Sequence, residues 1–166
     1  MTGKRRVSPI LLAGAFVLAA PQIIADTLAR YEVETPDTDP TVMDRATGLV
    51  WQQVPSDSTT MQWHEALAHC EDLDYAGQTD WRLPNVLELA TIVDEKKVPA
   101  PAINTHFFET LPTHAGYWTS TTARTIDSSA YGVYFNDQDN TYGRGGVTMI
   151  SKTSLMLALC VRTGTP

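Results

Sequence analysis

Apolar residues fall at helical steps in two places along the chain and at alternating steps in several others. Trp63, Ala66, Leu67, Cys70 and Leu73 recur every three or four positions, which lines one face of an amphipathic helix and turns Cys70 inward. Thr59 or Thr60 stands where a hydroxyl can cap that helix. Pro84 suits a first helical position because it lacks an N–H that the first turn leaves unpaired, and Val86, Leu87, Leu89, Ala90 and Val93 supply an apolar stripe behind it. Thr41-Val42-Met43 and Leu49-Val50-Trp51 flank Asp44-Arg45-Ala46-Thr47-Gly48. Asp starts a turn through its side chain and Gly ends one in the left-handed region, so this segment predicts a hairpin. Tyr31-Glu32-Val33 reads as a short strand inside an otherwise aperiodic stretch over 26–40.

The second half is richer in strand signals. Val98 to Pro112 holds three prolines and no steady period, which predicts a long ordered loop with Ile103, Phe107 and Phe108 dipping into the core. Tyr117 to Thr121 is aromatic and β-branched, and Ser129 to Phe135 alternates so that Tyr131, Val133 and Phe135 share a face. Asn136-Asp137-Gln138-Asp139-Asn140 is dense turn chemistry, and Thr141-Tyr142-Gly143-Arg144 follows as a return strand. Leu155 to Arg162 closes the chain as a largely buried strand containing Cys160. Trp51, Trp63, Trp81 and Trp118 are expected as core anchors. Two helices early and a mainly antiparallel, twisted sheet late make an α+β domain.

The first residues read as an address. Lys4, Arg5 and Arg6 precede an apolar stretch from Val7 to Ala20, and Pro21-Gln22-Ile23-Ile24-Ala25 ends in a small residue. This is the order of a secretory signal, with cleavage expected after Ala25. The apolar stretch falls short of the roughly 20 residues that cross a bilayer, and no later segment is apolar enough to span. The expected organisation is a signal peptide over 1–25, an extended lead-in over 26–40 and one domain over 41–166, exported to the periplasm or the exterior. In that compartment two cysteines, Cys70 and Cys160, most simply form a disulfide, one long-range bond tying the first helix to the last strand. The competing reading, a reactive or metal-binding pair, needs an electropositive setting or further ligands.

Composition narrows the partners. The chain has 166 residues with 12 Lys+Arg against 19 Asp+Glu. Three of those basic residues lie within the first six, so nine basic groups face 19 acidic ones thereafter, a net of −10. Such a surface repels polyanions, which excludes nucleic acid as an expected partner.

Candidate chemistry is sparse. His64 and His69 are five positions apart, which turns their rings about 140° away from each other on a helix, whereas zinc-protease helices place them four apart. Solvated helix histidines are the expectation. Asp72-Leu73-Asp74-Tyr75-Ala76-Gly77 resembles the start of a calcium loop, yet its twelfth position is Leu83, where a bidentate Glu is needed; a helix end and a turn fit better. Asn136, Asp137, Asp139 and Asn140 place four oxygen-bearing side chains within five residues, a set suited to calcium, although a polar turn needs no ion. Tyr134, Tyr142 and Arg144 flank that tip and can offer aromatic faces and a forked donor to a ligand, or simply brace an antiparallel pair. Asp80 beside Trp81-Arg82 is expected in a structural ion pair. No G-x-S-x-G elbow and no glycine-rich phosphate cradle occurs.

The order DRATGLVWQ, WHEALAHCEDL, DWRLPNVLELATIVD, PAINTHFF, YWTSTT and a closing LCVR resembles the Lcl C-terminal domain family, formerly a domain of unknown function, found in exported bacterial proteins. The resemblance runs from about Thr41 to Arg162. It implies a fold similar to C-type lectin-like domains and to the formylglycine-generating-enzyme group, whose helix after an RLP stretch matches Arg82-Leu83-Pro84. Lectin-like domains join the first helix to the final strand by a disulfide, where Cys70 and Cys160 stand, and often hold calcium with Asn and Asp of late strands. One collagen-like relative adheres to host polysaccharides, including glycosaminoglycans. This chain has no Gly-X-Y repeat and is acidic, so a neutral sugar, a peptide or another protein is the expected ligand. The expectation is a non-catalytic exported binding module whose late hairpins and loops, with Tyr134, Asn136, Asp137, Asp139, Asn140, Tyr142 and Arg144, form the site. The alternatives are an enzyme on a formylglycine-generating-enzyme-like scaffold and an assembly subunit of an envelope complex.

Overall fold

A computed structural model describes residues 30–34, 39–55, 59–97, 101–109, 111–113, 115–136 and 145–164. The signal-like segment, and with it the expected cleavage point, lies outside them.

Among the described residues seven strands form two antiparallel sheets. The first has the order β1-β2-β3-β7, from β1 (Tyr31–Glu34), β2 (Thr41–Asp44), β3 (Leu49–Gln52) and β7 (Val161–Thr163). The second has the order β4-β5-β6, from β4 (Tyr117–Thr122), β5 (Ser129–Val133) and β6 (Val147–Ser151). Among the described residues two short helices, α1 (Trp63–Glu71) and α2 (Val86–Ala90), precede the second sheet. The α+β class follows directly.

The β2–β3 hairpin forms as the sequence predicts. Asp44 Oδ1 accepts from Ala46 N at 3.0 Å, and Asp44 O accepts from Gly48 N at 2.8 Å. Gly48 takes φ 71°, a left-handed conformation that costs glycine nothing sterically. Strand β1 extends the packed body upstream of Thr41. It pairs with β2 over its full length and sends Tyr31 into the core against Phe107 and Phe108, with ring centroids 5.2 and 5.9 Å away.

Both helices start differently from expectation. Gln62, not Thr59 or Thr60, is the N-cap of α1, and Glu65 reaches back to accept from Gln62 N at 2.7 Å. Asn85, not Pro84, opens α2. Its Oδ1 accepts from Glu88 N at 2.9 Å while Glu88 Oε2 accepts from Asn85 N at 2.8 Å, a closed capping box. Pro84 stands one position before the cap, where its carbonyl accepts from Ser120 N and ties the helix to β4. Because α2 has only five residues, its apolar stripe is short: Leu89 is buried, but Leu87 is 77% exposed.

Two buried clusters hold these elements together. Trp51, Leu89, Ile92, Ile103, Phe107, Phe108, Tyr117, Val133, Phe135 and Leu159 pack on one side. Val50, Ala66, Tyr75, Trp81, Leu83, Trp118, Ala130 and Met156 pack on the other, together with Cys70 and Cys160. The loop residues Ile103, Phe107 and Phe108 are buried as expected. Cys70 and Cys160 are bonded, with Cα atoms 5.4 Å apart across 90 residues of sequence. The closing run is not one strand, however. Residues 156–160 are buried in an irregular path, and β7 begins only at Val161, just after the bridge. Gln52 Oε1 accepts from Cys160 N at 2.9 Å and steadies that path.

Candidate functional site

The predicted site centres on the connection between β5 and β6. Of its residues the structure describes Tyr134 and Asn136; Asp137, Asp139, Asn140, Tyr142 and Arg144 lie outside the described residues, as does the expected return strand over 141–144. Tyr134 leaves β5 with its N–H donating to Gly146 O at 3.0 Å. Its half-buried ring packs against the second core cluster and lies where a Cβ on Gly116 would approach Tyr134 Cζ to 2.7 Å. That ring is a core contact before it is a ligand platform. Asn136 is half-buried beside Phe135, whose carbonyl accepts from Ala102 N at 2.6 Å.

The strand that returns from this connection is β6, which the sequence reading missed. Gly145 leads into it with φ 78°, and a Cβ there would meet Val93 Cγ1 at 2.3 Å. Strand β6 pairs with β5 so that Tyr131 faces Met149, Val133 faces Val147 and Ser129 faces Ser151. Val133 is fully buried, whereas Val147 and Met149 are 47% and 48% exposed and Tyr131 is half-buried. The late hairpin therefore carries an apolar strip open to solvent at the rim of the second sheet. The signal for β6 was present in Val147, Thr148 and Ile150, three β-branched residues in a run of four. The tyrosine-bearing stretch just upstream carries a return-strand signal of its own.

Elsewhere the polar residues serve the scaffold. His64 is exposed and His69 half-buried on α1, and among the described residues no three His, Cys, Asp or Glu side chains gather as metal ligands. Asp72 ends α1, and Tyr75 and Gln78 exchange two main-chain bonds of 3.1 Å across Ala76 and Gly77, both at positive φ. Asp80 pairs with Arg162 at 2.6 Å, which holds its carboxyl below the usual range. Arg82 grips Glu88 with two bonds of 2.8 and 2.7 Å and so orients the capping box of α2, lowering the Glu88 pKa. Arg30 donates from Nε and Nη2 to Asp44 at 2.9 and 2.7 Å and from Nη2 to Thr91 O at 2.9 Å, joining β1, β2 and the end of α2. Burial alone would raise the Asp44 pKa; the bond from Arg30, with those from Ala46 and Thr47, holds it below the ordinary value. Trp63 donates from Nε1 to Thr119 O at 2.8 Å beneath Lys152, whose Nζ lies 4.3 Å from the ring centroid. The described residues contain no helix long and apolar enough to cross a membrane.

The model of the family described as the Lcl C-terminal domain matches residues 40–162. No curated protein matches the chain.

Proposed function

The chain belongs to the Lcl C-terminal domain family, and from that premise we propose that it is an exported, non-catalytic recognition module on a C-type-lectin-like scaffold. Its ligand is a neutral carbohydrate or a protein, and the binding surface is the side of the second sheet formed by β5, β6 and their connection. The observation that carries this reading is the spending of both cysteines on one buried bond. That bond leaves no thiol for chemistry of the formylglycine-generating kind. It also joins the first helix to the approach of the last strand, as the lectin-like resemblance implies. A cleaved leader over 1–25 supplies the oxidising compartment that such a bond needs.

Charge supports the choice of ligand. With nine basic against 19 acidic residues beyond the leader, a sulfated glycan meets a repulsive field. The test combines a glycan array with capture from the native envelope, using exported protein. Binding to neutral glycans or to a defined envelope protein, with no free thiol detected after denaturation, is the expected result. Two reactive thiols in exported protein, or turnover of a substrate, would overturn the reading.

A further inference from the structure

A sheet edge exposes main-chain donors and acceptors, and folded proteins protect such edges by covering them or by charging them. Among the described residues, three of the four sheet edges are managed in that way. The outer side of β4 is covered: Trp118 N donates to Leu157 O, Leu157 N to Gly116 O and Ser120 N to Pro84 O. The outer side of β7 is covered by Arg82, which exchanges two main-chain bonds of 2.9 Å with Val161. Strand β1 places Glu32 and Glu34 in four residues, with Glu32 paired to Arg45.

Among the described residues, strand β6 has none of this. Val147-Thr148-Met149-Ile150-Ser151 contains no charge, no proline and no glycine. Gly146 O accepts from Tyr134 N, and Lys152 N donates to Ser128 O, so even-numbered residues turn their main-chain groups toward β5. Alternation along an antiparallel pair then directs the N–H and C=O groups of Val147 and Met149 outward. Among the described residues nothing pairs with them. The same two residues carry the exposed apolar side chains of the late hairpin.

We propose that β6 is a docking edge that accepts an extended segment of a partner protein as a fourth, antiparallel strand of the second sheet. This deepens the recognition reading and rests on it: of the two ligand classes, outward amides and carbonyls repeating every second residue match a polypeptide strand. The incoming segment is apolar at alternate positions, to cover Val147 and Met149, and carries no acid, because the exported chain it approaches sets nine basic groups against 19 acidic ones, a net of −10. A second copy of this chain fits less well. Each copy brings the same negative charge, and one five-residue strand pair falls short of the roughly 1,200 Å² at the low end of stable interfaces.

The test uses the exported chain and a synthetic seven-residue peptide of alternating threonine and valine with a lysine at each end, followed by amide exchange. Peptide is expected to slow exchange at Val147 and Met149 by about tenfold or more, and a glutamate-ended version to bind about tenfold more weakly. Met149→Pro removes an outward N–H without breaking the bonds to β5, and Met149→Lys charges the edge with every donor kept. Both variants are expected to keep the folded spectrum and to lose at least about tenfold in peptide affinity. Unchanged exchange at Val147 and Met149, equal binding by both variants, or slowing that follows protein concentration and a doubled mass would each overturn the proposal. If the peptide is ignored while the chain still binds a neutral glycan or an envelope protein, the strand assignment falls and the recognition reading stands. If the chain binds neither, the recognition reading falls as well.

Discussion

At the scale of single residues, the grip of Arg30 on Asp44 ties the fold's stability to pH. The Asp44 side chain is fully buried and that of Arg30 one-third exposed. Since the folded pKa of Asp44 lies below its unfolded value, the pair stabilises the protein above the unfolded pKa, near 4, and that contribution is lost as pH falls through the folded pKa. Asp44→Asn is expected to cost about 2–3 kcal/mol at neutral pH, less than a fully buried pair because solvent reaches Arg30. The variant should also flatten the acid limb of a thermal-melt series below about pH 4. An unaltered acid limb would show that other carboxylates set it. This pair was not legible in the sequence. Arg30 and Asp44 are 14 residues apart, and only the pairing of β1 with β2 brings them together. The turn role of Asp44 was legible, because it depends on the next few residues alone.

Elements were legible in proportion to how much of their signal is local. Helix α1 was readable because Trp63, Ala66, Leu67 and Cys70 repeat on one face over about two turns, whereas the five residues of α2 are too few for periodicity to locate an end. The helix is held instead by its cap, by Arg82 on Glu88 and by Thr121 Oγ1, which accepts from Val86 N at 3.0 Å. Asn85→Ala is therefore expected to destabilise the domain by about 1 kcal/mol, within the range for lost N-caps, and a denaturant titration measures it. Glu88→Gln loses charge from the same box and from the Arg82 pair together, so its cost should exceed that of Asn85→Ala. Strand β6 was missed for the opposite reason. Its neighbours upstream carried a stronger turn-and-return pattern, and nothing in five uncharged residues distinguishes an exposed edge from a buried strand. Of the expected ligand set, Tyr134 directly follows β5, and its ring packs into the core because Gly116 leaves room for it, a contact between the exit of β5 and the approach to β4 that no periodicity reports.

For the whole molecule, the Cys70–Cys160 bridge closes a loop of 90 residues and ties α1 to the entrance of β7, inside the second core cluster. Replacing both cysteines with alanine is expected to cost about 2–5 kcal/mol and to lower the melting temperature in a single cooperative transition, without altering the surface at β6. An even cysteine count, with the oxidising compartment expected from the leader, indicated the pairing; the place of both cysteines in one buried cluster with Ala66, Trp81 and Trp118 required the fold. The central claim is that this fold presents one recognition surface at the late hairpin. A photo-reactive amino acid placed at Met149, with a control at exposed His64 on α1, tests it most directly in the native envelope. The account predicts a discrete covalent adduct from position 149 and none from position 64. No adduct from position 149, or the same adduct from both positions, would contradict it.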